Sequence, residues 1–222
     1  MKIKTLVASA LFISLFAGLL GAEKIASSKI VSNVEQALPG ASGVSASIPF
    51  NEIPGDLTSN SIKSADIKIE RYVLKASKTE TSLHIKASKI SKSRPTLVGS
   101  LDVTATISAS TILKSSGFND AKIVGDALQV SVGSGGLGQA LLIPKYSNNQ
   151  LFFELKSLSL FGNEIPSSSL PSDIQQQIKS KSARSLNIPQ GLTVKLVSLN
   201  SDGLSLKMQG SNIQLGSLGK VF

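Results

Sequence analysis

The chain has 222 residues and a formal charge of +9, with 23 Lys and Arg against 14 Asp and Glu, one histidine and no tryptophan or cysteine. The missing thiols exclude cysteine nucleophiles, thiolate-bound zinc, iron–sulfur clusters and disulfides, so the fold must be held by burial. Aromatic residues make up only 5 %, so the core is built from Leu, Ile and Val and offers few stacking platforms for bases or sugars.

Lys2 and Lys4 precede an uncharged apolar run from Thr5 to Leu20, and Gly21-Ala22 leads into Glu23-Lys24. This is the layout of a secretory signal, slightly short for a membrane span of about 20 residues. Residues 1–22 are expected to export the chain, as a cleaved signal or a retained N-terminal anchor. By the length prior, residues 23–222 then form a single sheet-rich domain. An exported basic protein meets membrane surfaces and acidic polymers more often than nucleic acid.

Residues 23–38 predict a helix with Ile30, Val31, Val34 and Leu38 on one face, ended by Pro39-Gly40. Beyond it a period of two dominates, the signature of half-buried strands. Leu83, Ile85 and Ala87 alternate with Ser82, His84, Lys86 and Ser88; Leu97, Leu101, Val103, Ala105 and Ile107 alternate with Ser100, Asp102, Thr104 and Thr106. Residues 108–116 predict a short helix capped by Ser108 or Ser110 and stopped by Gly117. Leu128, Val130 and Val132 resume the alternation, and Ala140 to Ile143 is apolar on both sides. Leu151, Phe153 and Leu155 are followed by Leu158 and Leu160, a slip of one residue near Lys156-Ser157 that predicts a β-bulge. Residues 171–186 predict a third helix, with Asp173 at its start and Lys179, Lys181 and Arg184 towards its end. Leu192, Val194 and Leu196, the turn Asn200-Ser201-Asp202-Gly203, and Leu204, Leu206 and Met208 predict a closing hairpin. The expected fold class is α+β: a curved antiparallel sheet with one apolar face, packed with about three helices.

Few motifs carry chemistry. Gly133-Ser134-Gly135-Gly136-Leu137-Gly138 fits G-x-G-x-x-G, but a dinucleotide site needs a helix to open there, and Gln139 to Pro144 reads as a strand. His84, the only histidine, lies on the polar side of its strand, and no G-x-S-x-G is present. The carboxylates are scattered, so the sequence points to no catalytic residue, no metal site and no cofactor. The stretch Lys63, Lys68, Arg71, Lys75, Lys78, Lys86, Lys89, Lys92 and Arg94 opposes only Asp66, Glu70 and Glu80. It reads either as a solubilising face or as an anionic docking surface. Tyr72 is its only aromatic, which argues against nucleic acid.

Three stretches together carry a resemblance. They are Gly43-Val44-Ser45-Ala46-Ser47-Ile48-Pro49-Phe50 with Gly55 after it, the paired strands of 61–91, and the close from Ile188-Pro189-Gln190-Gly191-Leu192 through Ser201-Asp202-Gly203-Leu204 to Gly210-Ser211-Asn212-Ile213-Gln214-Leu215. In these, over nearly all of the chain after residue 22, the sequence resembles the LmeA-like phospholipid-binding family of actinobacterial cell envelopes. The resemblance implies a tubular or half-barrel fold enclosing an acyl-chain groove and binding of anionic phospholipid. It also implies an envelope protein in support of mannan elongation on lipid-anchored glycans, and the first expectation for function is a lipid-binding or lipid-transfer module at the outer face of the cytoplasmic membrane.

The candidate groove residues are Leu83, Ile85, Val103, Leu128, Val130, Phe153, Leu155, Val194, Leu196, Leu204 and Leu206. Lys86, Lys89, Lys92 and Arg94 are the candidates for docking on an anionic membrane surface, although Lys86 and Lys89 differ in strand parity. The competing expectations are a ligand-free scaffold for an envelope glycan-synthesis enzyme, and a hydrolase with dispersed carboxylates.

Overall fold

The computed structural model describes residues 31, 32, 34, 35, 38, 40–48, 61–74, 79–91, 97–115, 120–132, 138–186, 188 and 190–214. The expected signal at 1–22, Lys92, Arg94 and the glycine run at 133–137 lie outside them. In chain order the elements are β1 (Ser42–Ser47), β2 (Ser61–Leu74), β3 (Thr79–Ser91), β4 (Leu97–Ser108), α1 (Ala109–Ser115), β5 (Lys122–Val124), β6 (Ala127–Val132), β7 (Gly138–Ser147), β8 (Gln150–Leu160), β9 (Asn163–Pro166), α2 (Ser172–Ser182), β10 (Arg184–Ser185), β11 (Leu192–Asn200) and β12 (Gly203–Gln214). The chain divides into two compact units. One holds Thr106–Leu186 and Val197–Ser205; the other holds the described residues through Ala105 with 188–196 and 206–214.

The expectation of one curved sheet with about three helices needs correction. The protein is mostly β, with two open six-stranded sheets and two short helices among the described residues. The first sheet runs β1-β2-β3-β4-β12-β11; the second runs β10-β8-β7-β6-β5, with β9 also paired to β8. In neither order do the outer strands meet, so neither sheet closes into the expected tube or half-barrel. Of the helix expected at 23–38, the described part is a helical turn around Val34, whose carbonyl accepts from the Leu38 N–H at 2.8 Å. The helix expected at 171–186 ends at Ser182, because Arg184 and Ser185 pair with Leu151 and Gln150 of β8.

Several local features follow from identifiable side chains. Ser108 caps α1, accepting from the Thr111 N–H at 3.4 Å. The closing hairpin turns where expected: Asn200 Oδ1 accepts from the N–H groups of Asp202 and Gly203, at 3.0 and 3.2 Å. Gly203 has φ +140°, and a Cβ there would lie 1.9 Å from the Ile107 carbonyl, so no side chain fits. In β8, Leu141 faces Ser157 but Leu142 faces Leu155, which leaves Lys156 as the extra residue of a bulge. The slip in alternation placed it correctly. β10 and β9 pair with opposite ends of β8, and between them Ser182 Oγ accepts from the Phe153 N–H at 2.9 Å and donates to its carbonyl at 3.2 Å. The terminal side chain of α2 thereby satisfies backbone groups left open along that edge.

The first sheet has a line along which its burial pattern changes phase. Buried positions run Ile62, then Ala65, Ile67 and Ile69 in β2; Leu83, Ile85 and Ala87, then Ile90 in β3; Val98, then Leu101 and Val103 in β4. The three-residue steps are aligned, since Ile62 faces Ile90 and Ala65 faces Ala87. Lys89 lies on this line with φ +52°, and Gly99 of β4 meets it so closely that a Cβ would come within 2.8 Å of the Lys89 Cβ. Strict alternation fails here because one lysine adopts left-handed backbone.

Candidate functional site

The β2–β3 hairpin presents two different faces. Directly opposed residues of an antiparallel pair share a face. The pairs Ala65–Ala87, Ile67–Ile85 and Ile69–Leu83 therefore make one aliphatic face, and the intervening pairs Asp66–Lys86 and Lys68–His84 make a polar one. On that polar face His84 Nε2 lies 2.9 Å from Asp66 Oδ1, both groups about one-third exposed. Further along, two β2 residues, Glu70 and Arg71, stand opposite Ser82 in a bulge between Ile69 and Tyr72. Arg71 Nε there meets Glu80 Oε1 at 3.1 Å. Asp66 and Glu80 are thus engaged by His84 and Arg71.

Lys63, Lys68, Lys86 and Lys89 are all exposed, and none forms an ion pair among the described residues. The parity difference between Lys86 and Lys89 is lifted by the left-handed backbone at Lys89, and both are open to solvent. Against these four stands one exposed hairpin carboxylate without an ion pair among the described residues, Glu70, so the unpaired charges sum to a local positive field.

The groove candidates fall in both sheets. Leu83, Ile85 and Val103 are 5 %, 0 % and 1 % exposed in the first, and Leu128, Val130 and Leu155 are 2 %, 1 % and 4 % exposed in the second. Leu204 is buried too. Phe153, Val194 and Leu206 keep part of their surface accessible, and Leu196 is exposed. The structure therefore gathers Leu83, Ile85 and Val103 in one unit, and Leu128, Val130, Phe153 and Leu155 in the other. In β8 the buried aromatic is Phe152, with Lys179 Nζ of α2 4.6 Å from its ring centre.

In the second sheet Lys156 Nζ meets Asp126 Oδ1 at 3.0 Å, and that hydrogen bond, then the lysine charge, holds the Asp126 carboxyl below its ordinary 3.8. No three His, Asp or Glu gather to hold a metal among the described residues, and none of the described helices is long and apolar enough to cross a membrane.

Thr81 was missed in the sequence. It is 5 % exposed, and its Oγ1 is the one fully buried side-chain polar atom without a hydrogen-bond partner among the described residues. Such an orphan costs about 1–3 kcal/mol. The signal was present: Thr81 has the parity of Leu83, Ile85 and Ala87. No family model, curated protein or solved structure matches the chain.

Proposed function

We propose that the chain is an exported phospholipid-binding protein of the cell envelope, held against an anionic membrane surface and serving lipid-linked glycan (mannan) elongation. The observation that carries this reading is the face of β2–β3 on which Lys63, Lys68, Lys86 and Lys89 stand exposed without ion-pair partners among the described residues, backed by an aliphatic face. The resemblance to the LmeA-like family supports it. Each lysine near an anionic bilayer contributes roughly 1 kcal/mol. Burying a 16-carbon chain in protein is worth on the order of 12 kcal/mol relative to water. Taken from a bilayer instead, the chain gains almost nothing, so exchange with a membrane is nearly balanced and charge supplies the selectivity.

The nearly complete burial of Leu83, Ile85, Val103, Leu128, Val130 and Leu155 favours a second reading, a ligand-free scaffold for an envelope enzyme. Native mass spectrometry of protein purified from membranes without detergent separates the two. A bound phospholipid mass is expected, and headgroup identification after extraction should return an anionic lipid. A ligand-free mass under gentle conditions would leave the scaffold.

A further inference from the structure

The four exposed lysines of β2–β3 are not equivalent. Ile62 faces Ile90 and Ser64 faces Ser88, which places Lys63 directly opposite Lys89. Both are exposed and neither has an ion pair among the described residues, whereas Lys68 faces His84 and Lys86 faces Asp66. Like charges directly opposed across an antiparallel pair destabilise it. Lys89 adds a second cost, since φ +52° is left-handed backbone that a lysine rarely adopts. Its stem is nevertheless seated in the space left by Gly99, where a Cβ would come 2.8 Å from the Lys89 Cβ and 3.2 Å from its Cδ. The nearest carboxylate on either strand, Asp66, is held by His84 at 2.9 Å. Strained backbone and opposed charge kept together mark a functional position, and an anion between two ammonium groups turns their repulsion into attraction.

We infer that Lys63 and Lys89 clamp one phosphate group between their ammonium groups, and that this phosphate belongs to a phospholipid headgroup. The inference rests on the phospholipid-binding reading and adds to it a seat. A phosphodiester has two non-bridging oxygens, and each ammonium donates to one of them. Both lysines are open to solvent, so the headgroup arrives from outside and displaces only water. Lys68 and Lys86 contribute to the field around the seat without gripping the phosphate.

The test measures binding of the full chain to phosphatidylglycerol vesicles and, separately, to inorganic phosphate. Lys63→Gln and Lys89→Gln should each weaken vesicle binding about tenfold to thirtyfold, as loss of a charge-assisted hydrogen bond does. The double variant should bind little worse than either single one, because both lysines serve one phosphate. Lys68→Gln and Lys86→Gln should each cost about fivefold, and their losses should multiply. Gly99→Ala keeps every charge but displaces the Lys89 stem, and should lose as much as Lys89→Gln. Lys89→Gly should lose binding while raising the melting temperature, since glycine accepts φ +52° without strain, which guards against loss through misfolding. Equal and multiplying losses at all four lysines, or full binding by Gly99→Ala or Lys89→Gly, overturn the clamp and leave membrane docking intact. A chain that binds inorganic phosphate through both lysines but no vesicles overturns the headgroup as the source, and the lipid-binding reading with it. Binding of neither probe removes both, so the failures are distinguishable.

Discussion

In the β7–β8 hairpin both lysines have partners: Lys145 lies 4.0 Å from Glu154, and Lys156 lies 3.0 Å from Asp126 across the sheet. In β2–β3 Asp66 and Glu80 are engaged by His84 and Arg71, while four exposed lysines, Lys63, Lys68, Lys86 and Lys89, and one exposed carboxylate, Glu70, have no ion pair among the described residues. The inner faces do not differ in this way. Ile85 is 0 % exposed and Leu155 is 4 % exposed, each within its own sheet. Two hairpins of similar core quality thus handle exposed charge in opposite ways. A paired lysine has its field largely cancelled locally, whereas unpaired ones leave a field that an outside anion can answer.

The largest expected effect tests the similarity. Ile85→Ala and Leu155→Ala should each destabilise by about 2–5 kcal/mol, as truncation of a closed core does. Denaturant unfolding of each variant gives the comparison. A loss near zero at either position would mean that its side chain lines open space, and the two hairpins would then differ inside as well as outside.

The next effect tests the difference. Changing Lys63, Lys68, Lys86 and Lys89 together to Gln should weaken flotation with anionic vesicles by a few kcal/mol, well over tenfold. Changing Lys145 and Lys156 to Gln should leave it nearly unchanged. Binding by the unmodified chain should also fall steeply with salt, because the attraction decays over about 8 Å at physiological ionic strength. Equal losses from both sets, or salt-independent binding, would make the β2–β3 face a solubilising surface.

Much of each hairpin could be read from sequence, and the unread parts share a cause. The bulge at Lys156 was legible because it interrupts an alternation written in adjacent residues. The Asn200–Gly203 turn and the Ser108 cap were legible for the same local reason. What failed depends on pairing. Alternation says which side chains share a face and not which strands adjoin, so strands expected in one sheet fall into two among the described residues. The partner of His84 is Asp66, eighteen residues away, and only the hairpin register brings them together. Arg184 and Ser185 carry a helical pattern yet pair with β8, where the β10–β8 contact outweighs local propensity. Lys89 defeated the parity argument because its left-handed backbone leaves no trace in composition. Thr81 escaped because a threonine among Ser and Lys reads as polar surface, whatever its parity.

The smallest effect concerns the pairing itself. Lys156 lowers the Asp126 pKa first through a direct hydrogen bond and then through its charge. A carboxyl whose folded pKa lies below its unfolded value adds stability above the unfolded value, and that stability is lost as pH falls through the folded one. Both side chains are at least half exposed, so solvent screens the pair and the effect on unfolding should be slight. The titration midpoint is the better reporter. Followed by carboxyl-carbon NMR, Asp126 should titrate below 3.8 in the unmodified chain and return towards 3.8 in Lys156→Gln. High salt should remove the Coulombic part of the shift and spare most of the hydrogen-bond part, since screening acts on the field and not on a 3.0 Å contact. A midpoint unchanged by Lys156→Gln would show that this lysine is as unpaired in solution as those of β2–β3, and the distinction between the two hairpins would fail at its best-defined pair.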